Sequence, residues 1–185
     1  MNVEGPGRSV RDPDQARRLL ALAMSQPTRN TITLLTCAAL AACGGSTMID
    51  SQRVAPVPSP ITALAVVSQV GARGELAGPS FDRALQEGAA ACGVRASVTP
   101  QLPPGAASVL LVTWTGGNKD RYGSVRSVRY EATLFESPSQ RVLWRAELSL
   151  IVDARSSSDR ASATLAHDLL AKLRRDQITP RCTTG

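Results

Sequence analysis

Two runs of strict alternation, separated by four turn residues, constrain this chain more than any other feature in it. Val128, Tyr130, Ala132 and Leu134 alternate with Arg129, Glu131 and Thr133. After them, Val142, Trp144, Ala146, Leu148 and Leu150 alternate with Leu143, Arg145, Glu147 and Ser149. Side chains along a strand point to opposite faces with a period of two, so the pattern predicts a hairpin with one buried and one wet face. The intervening Ser137, Pro138, Ser139 and Gln140 supply the turn chemistry such a connection needs.

The neighbouring segments fill in the rest. Residues 61–70 are apolar and partly β-branched, which reads as a strand. Phe81, Ala84, Leu85, Gly88, Ala89 and Cys92 fall on one face of a helix, with Ser80 as expected N-cap and Gly93 as expected C′ residue. Residues 94–99 alternate weakly, and the prolines of 100–104 end that strand. Residues 108–114 are a near-continuous apolar strand candidate. A last helix over 158–176 lines up Ala161, Leu165, Leu169 and Leu173, with Lys172, Arg174 and Arg175 at the end where the helix dipole favours cations. The predicted order is β-α-β-β-β-β-α, an α+β two-layer sandwich. Its sheet is antiparallel or mixed, with two helices on one face.

Upstream of this domain, residues 31–42 form an apolar stretch preceded by Arg29 and followed by Cys43, Gly44 and Gly45. The stretch is too short to span a bilayer, which takes about 20 apolar residues. A basic region, a short apolar core and a small-residue cleavage site are the parts of a secretory signal peptide. Leu40, Ala41, Ala42 and Cys43 resemble the lipobox of bacterial lipoproteins, in which the Cys thiol is diacylated, a dedicated peptidase cuts before it and the new amine is acylated. Small residues at 41 and 42 let the peptidase admit extended backbone. The thiol is needed because a thioether carries the lipid. One acyl chain anchors marginally, and the three implied here anchor essentially permanently.

The resemblance divides the chain into four parts. Residues 1–23 are a dispensable or over-called leader, since a start at Met24 gives a signal of usual length over 24–42. Arg17 and Arg18 faintly resemble a twin-Arg signal, but the polar run 25–30 interrupts it. Residues 43–60, with Gly44, Gly45, Pro56, Pro58 and Pro60, read as a tether, and 61–185 form the α+β domain facing the periplasm. Gly44 after the lipidated Cys implies an outer-membrane address, with the inner membrane as the alternative. On a lipid anchor, this layout is similar in architecture to small envelope lipoproteins: LptE, the PqiC-like auxiliary lipoproteins of lipid-transport ABC systems and the CsgG-like export lipoproteins. No residue-level motif of these families is present in the chain, so no functional residue carries over from them.

Composition narrows the chemistry. The 185 residues are 43% hydrophobic and 19% charged, which excludes a disordered chain, and 3% aromatic, which is too few for base-stacking platforms. Five of the 21 cations and three of the 15 acids precede Cys43, leaving a net charge of +4 on the mature chain. The cations are dispersed among acids, so no nucleic-acid partner is expected, and a mild positive balance suits anionic headgroups. Cys37 leaves with the signal and Cys43 takes the lipid. The remaining Cys92 and Cys182 form a disulfide in an oxidising compartment; two free thiols, with Cys92 a small apolar helix residue, are the alternative.

His167 is the single histidine, inside the last helix, and reads as a surface or hydrogen-bonded residue. Asp153, Asp159 and Ser156 to Ser158 read as turn and cap residues. Gly71 to Gly74 lacks the spacing of a phosphate loop. The polar loop 116–123 carries the candidate partner contacts Lys119, Arg121 and Tyr122, with Arg126 just beyond, and its bland reading is a mobile hairpin loop. No metal, no cofactor and no catalytic group is expected. The chain is thus expected to be a non-catalytic envelope lipoprotein, membrane-anchored, serving a protein partner in an envelope transport or export system. The alternative is a module binding lipid, lipopolysaccharide or cell-wall glycan.

Overall fold

The computed structural model describes residues 46–137, 139–153 and 156–182. The leader 1–23, the signal 24–42 and the lipidation residue Cys43 lie outside the described residues. Eight elements follow in the order β1 (Ser46–Arg53), β2 (Ala63–Ser68), α1 (Gly78–Ala90), β3 (Arg95–Thr99), β4 (Ser108–Lys119), β5 (Val125–Glu136), β6 (Arg141–Ile151) and α2 (Ser158–Arg175). They build one six-stranded mixed sheet in the order β1-β6-β5-β4-β2-β3. The β1/β6/β5/β4 pairs are antiparallel, and β2 pairs in parallel with both β3 and β4. The fold is α+β.

The alternation in the β5–β6 hairpin sorts its residues as a one-sided sheet requires. Val128, Tyr130, Ala132, Leu134, Trp144, Ala146, Leu148 and Leu150 are all buried. The opposite face carries Arg129, Glu131 and Thr133 on β5 beside Arg145, Glu147 and Ser149 on β6, with Arg145 and Glu131 paired at 3.0 Å. A register shift between Leu134 and Phe135 also turns Leu143 into the core. Leu165, Leu169 and Leu173 of α2 and Phe81 and Leu85 of α1 cover the buried face. The two helices meet at Gly88, where an added Cβ would come within 2.8 Å of Leu170 Cδ1.

Two expectations are corrected. Residues 46–53, read as tether, are the edge strand β1, paired with β6 along its whole length from Ser46↔Ile151 to Arg53↔Trp144. The link that follows is tied down as well. The amides of Val54 and Ala55 donate to the Leu143 carbonyl, and that of Ile61 donates to Ile178. β1 escapes a hydrophobicity reading because its inward side is Thr47, Ile49 and Ser51, two of them polar. Ser51 is accommodated because its hydroxyl donates to the Asp176 carboxylate at 2.5 Å. The folded domain therefore includes β1, and the element order gains one strand at the front.

The second correction concerns the start of α1. Its N-cap is Ala77, with no side-chain cap and a proline in the first turn. Proline suits that position, because its missing N–H is one the helix leaves unused. Ser80, expected as the cap, lies inside the helix, and its hydroxyl donates to Asp159 at the start of α2. The neighbouring helix does the work instead: the Ala77 amide donates to the Ser162 hydroxyl at 2.9 Å. α2 starts as expected, with the Ser157 hydroxyl accepting from the Arg160 amide.

Candidate functional site

β4 was expected to end near Trp114 but runs on to Lys119. Two glycines make the extension work. A bulge between Trp114 and Gly116 leaves Gly116 beneath the Arg129 guanidinium, and Gly117 sits against the Ser127 carbonyl, where a Cβ would approach to 2.9 Å. The strand pair thus continues to Lys119↔Val125. It closes in a turn over residues 120–124 that carries the expected contact residues at its tip.

The turn is a built structure and not a loose loop. Asp120 Oδ1 accepts hydrogen bonds from the amides of Tyr122 and Ser124, both at 2.9 Å. Its own amide donates to the Ser124 carbonyl at 2.8 Å. Gly123 takes φ +82°, a conformation open to glycine. Arg126 returns from β5 to pair with Asp120 Oδ2 at 2.9 Å. Desolvation pushes the Asp120 carboxyl up, but the two amides and the Arg126 guanidinium outweigh it and hold it below the usual carboxylate range.

With its backbone fixed in this way, the tip turns its side chains outward. Tyr122 is 76% exposed, and the Arg121 guanidinium lies 4.7 Å from its ring centroid. Among the described residues, Lys119 and Arg121 form no ion pair. The structure therefore brings Lys119, Arg121, Tyr122 and Arg126 together on one projection. Reading the sequence missed an adjacent contact: Arg73, from the loop before α1, lies 4.1 Å over the Trp114 ring. Nothing in the local sequence pairs positions 41 apart.

Beneath the tip, Glu75 and Tyr130 are buried. Burial raises the Tyr130 hydroxyl to about 12, helped by the Glu75 carboxylate and opposed by a hydrogen bond with the Gly71 backbone. Among the described residues, Glu75 Oε2 and Trp114 Nε1 find no hydrogen-bond partner.

Cys92 and Cys182 are joined in a disulfide across 90 residues of sequence. The bridge ties the end of α1 to the C-terminal tail, with the Arg174 guanidinium donating to both sulfurs. Asp159 and His167 share the rim of an outer groove between α1 and α2, two helical turns apart, which at about 1.5 Å per residue is roughly 12 Å. Asp159 is occupied with the Ser80 hydroxyl. Asp153 follows β6 and does not line that groove. Among the described residues, no group of three metal-ligating side chains occurs, and no helix is long and apolar enough to cross a membrane.

The space between sheet and helices is filled by Trp144, Tyr130, Phe81 and their neighbours. A recess of about 470 Å³ lies instead where Pro103 to Ser108 face the starts of β2 and β3.

No protein-family model and no curated protein matches the sequence. Among solved structures, the chain is similar to PelC of Paraburkholderia phytofirmans, solved as a dodecamer, with a TM-score of 0.49 and 16% identity over 74% of this chain and 99% of that one. It is similar to a PDZ domain protein from Parabacteroides distasonis, with a TM-score of 0.43 and 6% identity over 75% of this chain and 38% of that one. A DUF330 protein from Xanthomonas campestris gives a TM-score of 0.39 and 11% identity over 65% and 87%.

Proposed function

We propose that this chain is a non-catalytic lipoprotein of the bacterial cell envelope, anchored through Cys43 and facing the periplasm from the outer membrane. Its α+β domain serves as an interaction or assembly component of a transport or export system. The observation that carries the reading is the run Leu40, Ala41, Ala42 and Cys43 behind a short apolar stretch, with the folded strand β1 (Ser46–Arg53) downstream of it. The Cys92–Cys182 bridge fits an oxidising compartment.

An interaction role is supported by what the sheet leaves uncovered. One face is a solvated lattice of Arg129, Glu131, Arg145 and Glu147, and β1 and β3 are both edges with free backbone groups. Asp159 is taken up by the Ser80 hydroxyl and lies two helical turns from His167, which supports a non-catalytic reading.

Expression in a Gram-negative host tests the proposal. The wild type is expected to float with membranes and to show a triacylated mass beginning at Cys43, while Cys43→Ser shows neither. In-cell cross-linking of the wild type then retrieves an envelope protein. An unprocessed, soluble wild type overturns the reading.

A further inference from the structure

The two ends of the sheet differ, and the difference bears on the anchor. Ser46 pairs with Ile151, and Ile151 pairs with Ser127, so these three residues share one rung. The β4–β5 hairpin continues two residues past that rung to Lys119↔Val125, about 7 Å at a strand rise of ~3.4 Å. Its turn projects further still. Ser46 and Ser127 are two strand spacings apart, roughly 10 Å. Cys43 precedes Ser46 by three residues, a covalent reach of no more than about 10 Å. Cys43 is therefore held by the chain within about 10 Å of Ser46, which stands at the end of the sheet from which the hairpin tip projects.

Three of the five exposed large hydrophobics among the described residues lie toward that end, Met48, Tyr122 and Ile151 at 69%, 76% and 54%; Val54 and Leu102 are the other two. Lys119, Arg121 and Arg126 stand beside Tyr122, with Arg73 over Trp114 close by. Of the acids of this end, Asp120 holds the turn and Arg126, Asp153 also has a bonding partner, and Glu75 is buried beneath the tip. Basic side chains flanking an amphipathic ring are what a headgroup layer selects, because the ring sits at the interface and the cations meet anionic lipid.

From this geometry we infer that the β4–β5 hairpin tip docks on the anionic bilayer surface as a second, non-covalent contact beside the anchor. The domain is thereby oriented on the membrane instead of swinging from it. The inference rests on the lipoprotein reading of Cys43 for its orientation.

The test uses the processed, lipidated full chain reconstituted in vesicles of phosphatidylcholine alone or with 30% phosphatidylglycerol, after intact mass has established lipidation at Cys43. Tyr122→Trp reports on the tip, and Ser139→Trp reports on the opposite hairpin. Expected is a blue-shifted emission from the residue 122 reporter, quenched at least twofold by lipids brominated high on the acyl chain. The response should strengthen in the anionic vesicles and be absent for the residue 139 reporter. Adding Lys119→Glu and Arg121→Glu to the residue 122 reporter is expected to abolish the anionic enhancement while leaving the thermal midpoint in place. Equal quenching at 122 and 139 in a lipidated protein overturns the docking inference and leaves the anchor standing. A protein lacking the lipid mass overturns both. Photo-cross-linking from position 122 to a protein, without lipid quenching, replaces the bilayer by a protein partner.

Discussion

The indole N–H of Trp144 donates to the Asp176 carboxylate at 2.8 Å and helps fasten the sheet to the end of α2. Asp176 also accepts from Ser51 of β1 at 2.5 Å and faces Lys172 at 3.4 Å, while Arg53 donates to its carbonyl. One carboxylate therefore joins β1, β6 and α2.

Removing it should loosen all three elements. Burial alone would raise this carboxyl, but the bonds from Ser51 and Trp144 and the Lys172 charge lower it below 3.8. A carboxyl lowered in the folded state contributes stability above its unfolded value, and that stability is lost as the pH falls through the folded one. Asp176→Ala is expected to cost about 1.5–3 kcal/mol at neutral pH, read from urea midpoints. The difference from wild type should shrink as the pH drops below about 4.

Reduction of the Cys92–Cys182 bridge offers a second measurement. Its 90-residue separation corresponds to about 4–5 kcal/mol in the chain-entropy model. Cys182→Ser and the reduced wild type should unfold at the same, lower temperature, and an unchanged midpoint on reduction would show that the bridge does not restrain the unfolded chain.

Gly71 and Gly74 separate two costs that glycine substitutions usually mix. Both have positive φ, +80° and +74°, but an added Cβ at Gly71 would lie 2.5 Å from the Gly78 amide, whereas at Gly74 nothing lies within 4 Å. Gly74→Ala is expected to lose about 1–2 kcal/mol for the backbone conformation. Gly71→Ala should lose a further ~1–3 kcal/mol for the clash, with denaturant curves of the two variants giving the difference directly.

Tyr130 makes an unusual prediction for a buried aromatic. Its hydroxyl is buried beside Glu75 and meets the Gly71 backbone, so Tyr130→Phe should change stability by no more than about 1 kcal/mol. Because the folded hydroxyl is raised from 10 to about 12, its contribution is fully present below pH 10 and is lost as the pH rises toward 12. The wild type should lose stability over that interval, and Tyr130→Phe should lose less.

The parts of this fold that were legible in the sequence are those where burial is one-sided. Tyr130, Leu134, Trp144 and Leu148 alternate because the sheet has one dry face, and Leu165, Leu169 and Leu173 recur with the helical period because α2 has one dry side. Where other forces set the structure, the pattern was silent. β1 is held by backbone pairing and by the Ser51–Asp176 bond, neither of which leaves an apolar signature. The continuation of β4 depends on Gly116 and Gly117, which read locally as a loop. The α1 start is capped from α2 by Ser162, a partner 85 residues away. At the candidate site the residues Lys119, Arg121, Tyr122 and Arg126 were visible as a polar loop. Their rigid turn and their place at the same end of the sheet as Ser46 follow from strand register, which composition does not encode.

The pairing of β1 with β6 also decides how the domain answers to tension. On the proposed anchoring through Cys43, a pull enters β1 at Ser46, and its component along the strand axis acts across hydrogen bonds that lie perpendicular to it. The rungs from Ser46↔Ile151 to Arg53↔Trp144 then share the load in shear instead of parting one after another, and the Asp176 junction holds the far end of the strand. A strand loaded in this way resists extraction, where one peeled perpendicular to the sheet would give way rung by rung.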